Sequence, residues 1–422
     1  MSFLKHIFSR RKAPLDEAGA AASDSFCIMP WVHLHVTQHG TVTPCCQAPW
    51  EEEHGFGNVN RDQLRDIWKG RGMQEFRRTM LCGEKDKRCE RCYLKEASGF
   101  TSLRQVTNQK FAQHIPQALQ SQVPENPVYW DIRFSNVCNF KCRICGPWSS
   151  SKWYNDAVAL GMASESAPAL TQAAEDPADF MAQLEGMAVA LEEIYFAGGE
   201  PLIMQEHYAL LDMLIEKGMT DVRLQYNTNF SLLRYKGRDV VDLWRQFPNV
   251  TLSLSLDGMG PRGELQRSLQ SWPQTIHNIE RLRREAPHVE VIVSPTLSVF
   301  NLLHLPEFHR AWTARGYIRP ETFFPSLLVQ PEHYNIRILP AQLKAQAVEL
   351  YREHTAWLKS QEAEDEGQMR YCLARFQEVE SHLQSADHSH LLPVFTEKCA
   401  ALDELRGESV REVFPELAVL WG

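Results

Sequence analysis

The sequence predicts an α/β protein, and three observations carry that prediction. Strand-like runs rich in Val, Ile, Leu and aromatics alternate with helix-length amphipathic stretches through the middle of the chain, the pattern of βαβ units over a parallel sheet. The motifs with chemical character within this region stand at the ends of such runs, where parallel α/β sheets collect their chemistry. Nine of the eleven cysteines fall in two groups, one ahead of the strand–helix repeats and one inside them.

Taken in order, residues 1–24 read as a disordered leader and 25–105 as a small Cys-rich module built on a β-hairpin. A linker over 106–127, rich in Gln and Pro from residue 117, leads into the strand–helix region, 128–340. Its strands are expected over 129–134, 194–197, 222–227, 250–256, 289–296 and 322–329, with helices between them such as 205–217 and 272–285. A polar stretch over 163–179 reads as an exposed insertion. Residues 341–422 form a helical extension, amphipathic over 341–358 and 368–383. Its end, 402–422, is expected to cap the core or to pair with another subunit. Cys372 and Cys399 stand alone here and read as buried structural thiols.

The most informative stretch is Cys138-Asn-Phe-Lys-Cys142-Arg-Ile-Cys145, just after the first strand. Three thiolates cannot complete a four-ligand shell, so one position either recruits a distant ligand or stays open to something that is not protein. A zinc knuckle or three core thiols are the plainer alternatives. Further on comes Glu192-Glu-Ile-Tyr-Phe-Ala-Gly-Gly-Glu-Pro201, an apolar run that ends in Gly198, Gly199 and Glu200. Two glycines there permit close approach to the backbone, and Glu200 offers a fixed acceptor for a cationic group.

The C-x3-C-x2-C spacing, with Gly-Gly-Glu-Pro following in register, resembles the radical S-adenosylmethionine (SAM) superfamily. The resemblance implies a partial (β/α)6 TIM-type barrel. It also implies a [4Fe–4S] cluster on Cys138, Cys142 and Cys145 whose open iron is chelated by SAM, and a 5′-deoxyadenosyl radical that abstracts hydrogen from substrate. Ile144 would pack near the adenine, and Gly198, Gly199 and Glu200 would receive the methionine amine. Two more strand ends are polar in the matching places, Tyr226-Asn-Thr-Asn-Phe230 and Ser253-Leu-Ser-Leu-Asp-Gly258. Thr228, Asn229 and Ser255 are the candidates there for ribose and carboxylate contacts, against ordinary turn and cap roles. Phe230 stands where relatives carry glycine. No proton donor or base can be named.

The N-terminal group comprises Cys27, the adjacent Cys45 and Cys46, then Cys82, Cys89 and Cys92. A strand over 31–36 and a turn into a second strand over 39–45 make a hairpin with a thiol near each end. A helix follows toward Met80, and a C-x2-C pair closes the module. Two hairpin thiols and that pair supply four soft ligands, enough for zinc or a cluster. The Gly40-to-Cys45 element, the Gly57-Asn58 turn and the terminal C-x2-C resemble the twitch module, a shortened SPASM domain that holds one auxiliary [4Fe–4S] cluster. That resemblance implies Cys27, Cys45, Cys89 and Cys92 as ligands, here ahead of the barrel instead of after it. Cys46 and Cys82 are left over, as substitute ligands, proton donors or idle thiols. His33 and His35 share a strand face, as metal ligands or as packing.

The cysteines read as metal ligands in a reducing compartment, not as a disulfide framework. The basic opening, 1–12, lacks the apolar core of a secretory signal, and no run approaches the ~20 apolar residues of a membrane span. A soluble cytoplasmic protein is expected. With net charge −9 and no basic stripe, nucleic acid is disfavoured as substrate. The resemblance implies a reductant such as flavodoxin or ferredoxin. It further implies a substrate radical that is oxidised or cross-linked, on a peptide or a carbohydrate-type small molecule. The rival class is a non-catalytic zinc or iron–sulfur protein that binds a partner or senses redox state.

Overall fold

The structure is a computed structural model and describes residues 15–421. The start of the expected leader, including the basic 1–12 stretch, lies outside the described residues. Its last ten residues are ordered. Asp16 caps the helix Glu17–Ala22 by accepting from the Gly19 amide, and Ala20 is buried. The leader as expected therefore does not extend to residue 24.

The described chain divides into two compact units, one of Met1–Ser135, Gln172–Phe196 and Tyr208–Val222 and the other of Asn136–Thr171, Ala197–His207 and Arg223–Gly422. The first unit holds the strands β1 (His33–Val36), β2 (Thr41–Thr43), β3 (Gly57–Asn58), β4 (Tyr129–Ile132) and β5 (Glu193–Phe196). β1 and β2 form the expected antiparallel hairpin, which β3 extends. β1 also pairs in parallel with β4, and β4 in parallel with β5. The cysteine hairpin is thus continuous with the first two strands of the strand–helix region. The boundary expected at 127/128 is not a boundary between the two units.

Register explains this sheet. Leu34 and Val36, Trp130 and Ile132, Ile194 and Phe196 all lie on one face and are buried. The alternate residues, His33 and His35, Tyr129 and Asp131, Glu193 and Tyr195, form the opposite, polar face. Pro30 changes the local conformation ahead of β1. Trp31 and Val32, expected as strand, belong to one turn of helix, Met29–Val32, with proline in its first positions, where the missing N–H costs nothing.

The second unit holds β6 (Arg223–Thr228), a small hairpin of β7 (Arg234–Tyr235) and β8 (Arg238–Asp239), β9 (Val250–Leu254), β10 (Glu290–Val293), β11 (Thr296–Leu297) and β12 (Ser326–Leu327). β6, β9 and β10 pair in parallel. Crossover helices lie where expected, Gln205–Glu216 and Trp272–Glu285 among them. Ser271 caps the latter, which buries Thr275, Asn278, Ile279 and Leu282 at helical spacing. The α/β class is as the sequence predicts, and the order of parallel strands and helices is that of a partial (β/α)6 barrel. Two expected strands are interrupted. The run 289–296 splits at Pro295 into β10 and β11, and 322–329 contains Pro325 and contributes an isolated Val293–Phe323 bridge followed by β12 on β11. The extension consists of the helices Ala341–Lys359, Glu366–Ser385 and Leu392–Arg406, then short turns to Trp421. Among the described residues no helix is long and apolar enough to cross a membrane.

Candidate iron–sulfur and nucleoside sites

In the second unit, the backbone of the Cys138–Cys145 loop is fixed from both sides. The Lys141 and Arg143 amides donate to the carbonyls of Ser268 (3.2 Å) and Gln266 (2.8 Å), and Trp153 Nε1 donates to the Cys142 carbonyl (2.8 Å). The Phe140 amide lies 3.4 Å from Cys138 Sγ, the kind of N–H that would face a thiolate. The three sulfurs sense one another. Burial, reinforced by the neighbouring Cys142, pushes Cys138 up to about 12. Cys145 donates its S–H to Cys142, which holds the Cys142 thiol below its ordinary value, and the Arg267 guanidinium 3.9 Å from Cys142 Sγ acts in the same direction. Arg267 is held in turn by Asp257 at 2.9 Å.

The Gly-Gly-Glu turn closes against this loop. The Glu200 amide donates to the Val137 carbonyl at 2.7 Å. A Cβ on Gly199 would stand 2.0 Å from that same oxygen, so only glycine fits, and Gly198 has φ +123°. Glu200 is fully buried and accepts three donors. Thr228 Oγ1 (2.7 Å) and the Leu202 amide (3.1 Å) reach Oε1, and the Asn229 amide (2.7 Å) reaches Oε2. Burial outweighs these hydrogen bonds and raises its pKa to about 7. Asn229 also donates from its side chain to Asn139 inside the thiol loop (2.9 Å), and Asn139 donates to Ser231 (2.8 Å).

The structure therefore brings Cys138, Cys142, Cys145, Gly199, Glu200, Thr228 and Asn229 into one hydrogen-bonded neighbourhood. The Thr228 hydroxyl donates to Glu200 (2.7 Å) and accepts from the Phe230 amide (2.9 Å), the turn role that stood as its alternative. Phe230 adopts φ +55°, the left-handed conformation of the glycine whose place it takes. Ser253 and Ser255 are half-buried, and Ile144 is half-buried in the thiol loop. Asp257 does not continue the face of Ser253 and Ser255, because an i to i+2 turn from Leu254 to Leu256 ends the alternation and Asp257 turns in to Arg267.

The second group of thiols lies in the first unit. Cys27 precedes the turn Met29–Val32 and packs in the apolar core with Phe26, Trp31 and Phe76, while Cys45 follows β2. Cys89 is the N-cap of the helix Glu90–Ala97, whose first turn carries Cys92. Cys27 senses Cys92, Cys45 senses Cys27 and Cys89, and Cys89 senses Cys27 and Cys92. Burial comes first in raising all three, with Cys27 reaching about 12. Buried thiols of this kind stay protonated until a metal displaces the protons. Cys46 acts on Cys45 more strongly than Cys27 or Cys89 does; burial raises its own thiol, with Asp131 on the polar sheet face adding to the rise and Arg133 opposing it. Cys82 is buried. His33 and His35 are buried on that same face, His33 against Tyr129 and His35 Nδ1 2.7 Å from Thr43 Oγ1.

Among the described residues no three His, Cys, Asp or Glu side chains are grouped as a single metal ion requires. Tetrahedral zinc with Zn–S bonds of ~2.3 Å needs its sulfurs drawn tightly together. Both thiol sets supply the soft thiolate ligands that an iron–sulfur cluster takes. Sequence reasoning missed Arg267 and Asp257, and also the acidic partners of Lys141 and Arg143. The two cations stand inside the motif, but their partners lie far along the chain.

Residues 132–303 match the model of the radical SAM superfamily, and residues 27–93 match that of SPASM, an iron–sulfur cluster-binding domain. No curated protein matches the chain. Among solved structures it is similar to anSMEcpe with bound AdoMet, at 14% identity over 55% of this chain and 56% of that one, TM-score 0.37. It is also similar to TYW1 with a lysine–pyruvate adduct bound, at 11% identity over 55% of this chain and 71% of that one, TM-score 0.31. The chain thus spans little more than half the length of the anSMEcpe chain.

Proposed function

We propose that this chain, in which a SPASM iron–sulfur domain precedes a radical SAM domain, is an enzyme that cleaves SAM reductively and uses the resulting radical to oxidise or cross-link a substrate. The observation that carries the reading is the junction of the thiol loop with Glu200. Three thiols share one loop, and a buried acid is fixed beside them by three donors. Cys138, Cys142 and Cys145 would hold the SAM-binding [4Fe–4S] cluster. When bound, cluster and SAM together supply a 5′-deoxyadenosyl radical.

The chain's own residues bind and orient. Glu200 offers its carboxylate to a cationic amine. The bare backbone of Gly198 and Gly199 lets a ligand approach. Asn229 ties the acid to the loop through Asn139. Ile144 and Ser255 are assigned to the nucleoside. In the N-terminal module, 25–105, Cys27, Cys45, Cys89 and Cys92 would hold an auxiliary [4Fe–4S] cluster that accepts the electron a substrate radical must lose. A peptide or a carbohydrate-type small molecule is the substrate class. Flavodoxin or ferredoxin is the class of reductant.

Anaerobic reconstitution tests this. The protein should take up about eight irons as two cubanes and release 5′-deoxyadenosine from SAM under dithionite. One bound zinc and no SAM cleavage would favour a non-catalytic thiol–metal protein.

A further inference from the structure

We infer that the C-terminal stretch Asp403 to Val410 is a brace that sets the position of the thiol loop, acting through the two cations that flank Cys142. The inference rests on the reading of Cys138, Cys142 and Cys145 as cluster ligands. On the C-terminal side of Cys142, the Arg143 guanidinium is completely buried and donates to Asp403 and to Glu408 (2.7 Å). On the other side, Lys141 pairs with Asp156 at 3.0 Å, and Arg406 shares that carboxylate at 2.8 Å. Arg406 also donates to Ser268 Oγ (2.9 Å), whose carbonyl receives the Lys141 amide. Its guanidinium lies 4.5 Å from the centre of the Trp153 ring, the ring that donates to the Cys142 carbonyl. Cys142 is thus gripped through both neighbours and through its own carbonyl, each time by a group that Asp403, Arg406 or Glu408 holds.

The segment is shaped to do this. The helix Leu392–Arg406 ends at Gly407 in the left-handed conformation, φ +64°. That turn brings Glu408 back beside Asp403, whose backbone carbonyl receives the Glu408 amide and whose Oδ2 receives the Val410 amide. Three cations (Lys141, Arg143, Arg406) meet three carboxylates (Asp156, Asp403, Glu408). The shell is charge-balanced, so it can fix a loop destined for an anionic cluster without imposing a net field on it. Packing alone would not require a buried guanidinium between two cluster thiols, because a stranded charge there is costly if either acid is lost.

The test uses the full chain, reconstituted anaerobically, in four forms: wild type, C142A, D403N/E408Q, and D403N/E408Q/R143M. Iron per chain, thermal midpoint and the EPR spectrum of the reduced protein with and without SAM are recorded. The double variant should fall from about eight irons to about four. It should lose the SAM-responsive signal and keep the other. The triple variant strands no charge, so it should regain the wild-type midpoint while the SAM-responsive signal stays lost or broadened. If the segment only compensates the Arg143 charge, the triple variant regains that signal in full and the brace is overturned. It is overturned equally if the double variant keeps both signals unchanged. A wild type without any SAM-responsive signal, or a C142A protein with wild-type iron, overturns the underlying assignment instead.

Discussion

Thr228 donates its hydroxyl proton to Glu200 at 2.7 Å, and the acid accepts from two backbone amides besides. All three partners are donors, so the site demands an anion or at least two bare acceptor oxygens. A carboxamide cannot satisfy it, because its NH2 would face one of those donors. E200Q should therefore lose about 3 kcal/mol of stability and T228V about 2 kcal/mol, near the range for hydrogen bonds to a charged group. Urea unfolding of the two variants checks the order. If E200Q is the milder change, the acid is not held by these three donors.

Gly199 faces the Val137 carbonyl so closely that alanine would place Cβ 2.0 Å from the oxygen and 2.6 Å from the carbon. Both contacts are with backbone, which cannot rotate away. G199A should force the thiol loop off the Gly-Gly-Glu turn. Its expected signature is a loss of the SAM-responsive cluster signal together with a lowered thermal midpoint. G186A is the control: a Cβ there meets nothing within 4 Å, and both readouts should hold.

The two thiol sets should separate cleanly by mutation. C142A should abolish SAM cleavage and leave the auxiliary signal in place. The C89A/C92A double variant should spare SAM cleavage and remove product formation. Within the adjacent pair, C45A should lose the auxiliary cluster. C46A should keep it, because Asp131 and Arg133 act on the Cys46 thiol while Cys27 and Cys89 act on Cys45. Iron analysis and EPR on the four proteins decide the assignment, and cluster loss in C46A alone would reverse it.

What the sequence revealed was local. The cysteine spacing, the Gly-Gly-Glu turn and the hairpin are each set by residues within about ten positions of one another, and all were legible. The parallel pairing of β1 with β4 joins residues some ninety-five positions apart, and no period-2 pattern announces which strand will be a neighbour. Arg143 and Glu408 are 265 residues apart, so nothing local to the motif announces the partner of the arginine. The interrupted strands had a visible cause in Pro295 and Pro325, each inside an apolar run whose hydrophobicity outweighed it in the reading. At Thr228 a ligand contact and a turn role stayed open, because a hydroxyl at a strand end suits a ligand and a neighbouring acid equally.

Acid sensitivity should follow from the buried histidines. Burial lowers His33, His207 and His354 to about 3 and His382 to about 4, against about 6.5 in an unfolded chain. The folded state binds fewer protons, so their contribution is intact above pH 6.5 and is lost as pH falls from there toward 3. Each histidine that must stay neutral costs ~1.4 kcal/mol per pH unit in that window. Glu200 runs the other way: its raised value favours the fold at lower pH, an effect lost as pH rises through about 7. Burial lowers His35, His309 and His333 as well, so seven groups oppose one and the thermal midpoint should drop between pH 6.5 and 5. The H354Q protein should show a shallower drop, and an equal slope would remove His354 from the account.

Phe230 sets two effects against each other. Its φ of +55° is one that a residue with a Cβ adopts at a cost of roughly 1–2 kcal/mol, and glycine would relieve that cost. Its ring is completely buried, and removing a buried phenyl group costs about 3–5 kcal/mol. Packing should win, leaving F230G about 1–4 kcal/mol less stable than the parent. The turn itself should survive, because it is held by backbone groups: the Phe230 amide on Thr228 Oγ1 and the Phe230 carbonyl on Asn278 (2.8 Å). F230G should therefore unfold at lower denaturant yet keep the SAM-responsive cluster signal. A stabilised F230G would mean that the strained backbone, not the ring, dominates at this position.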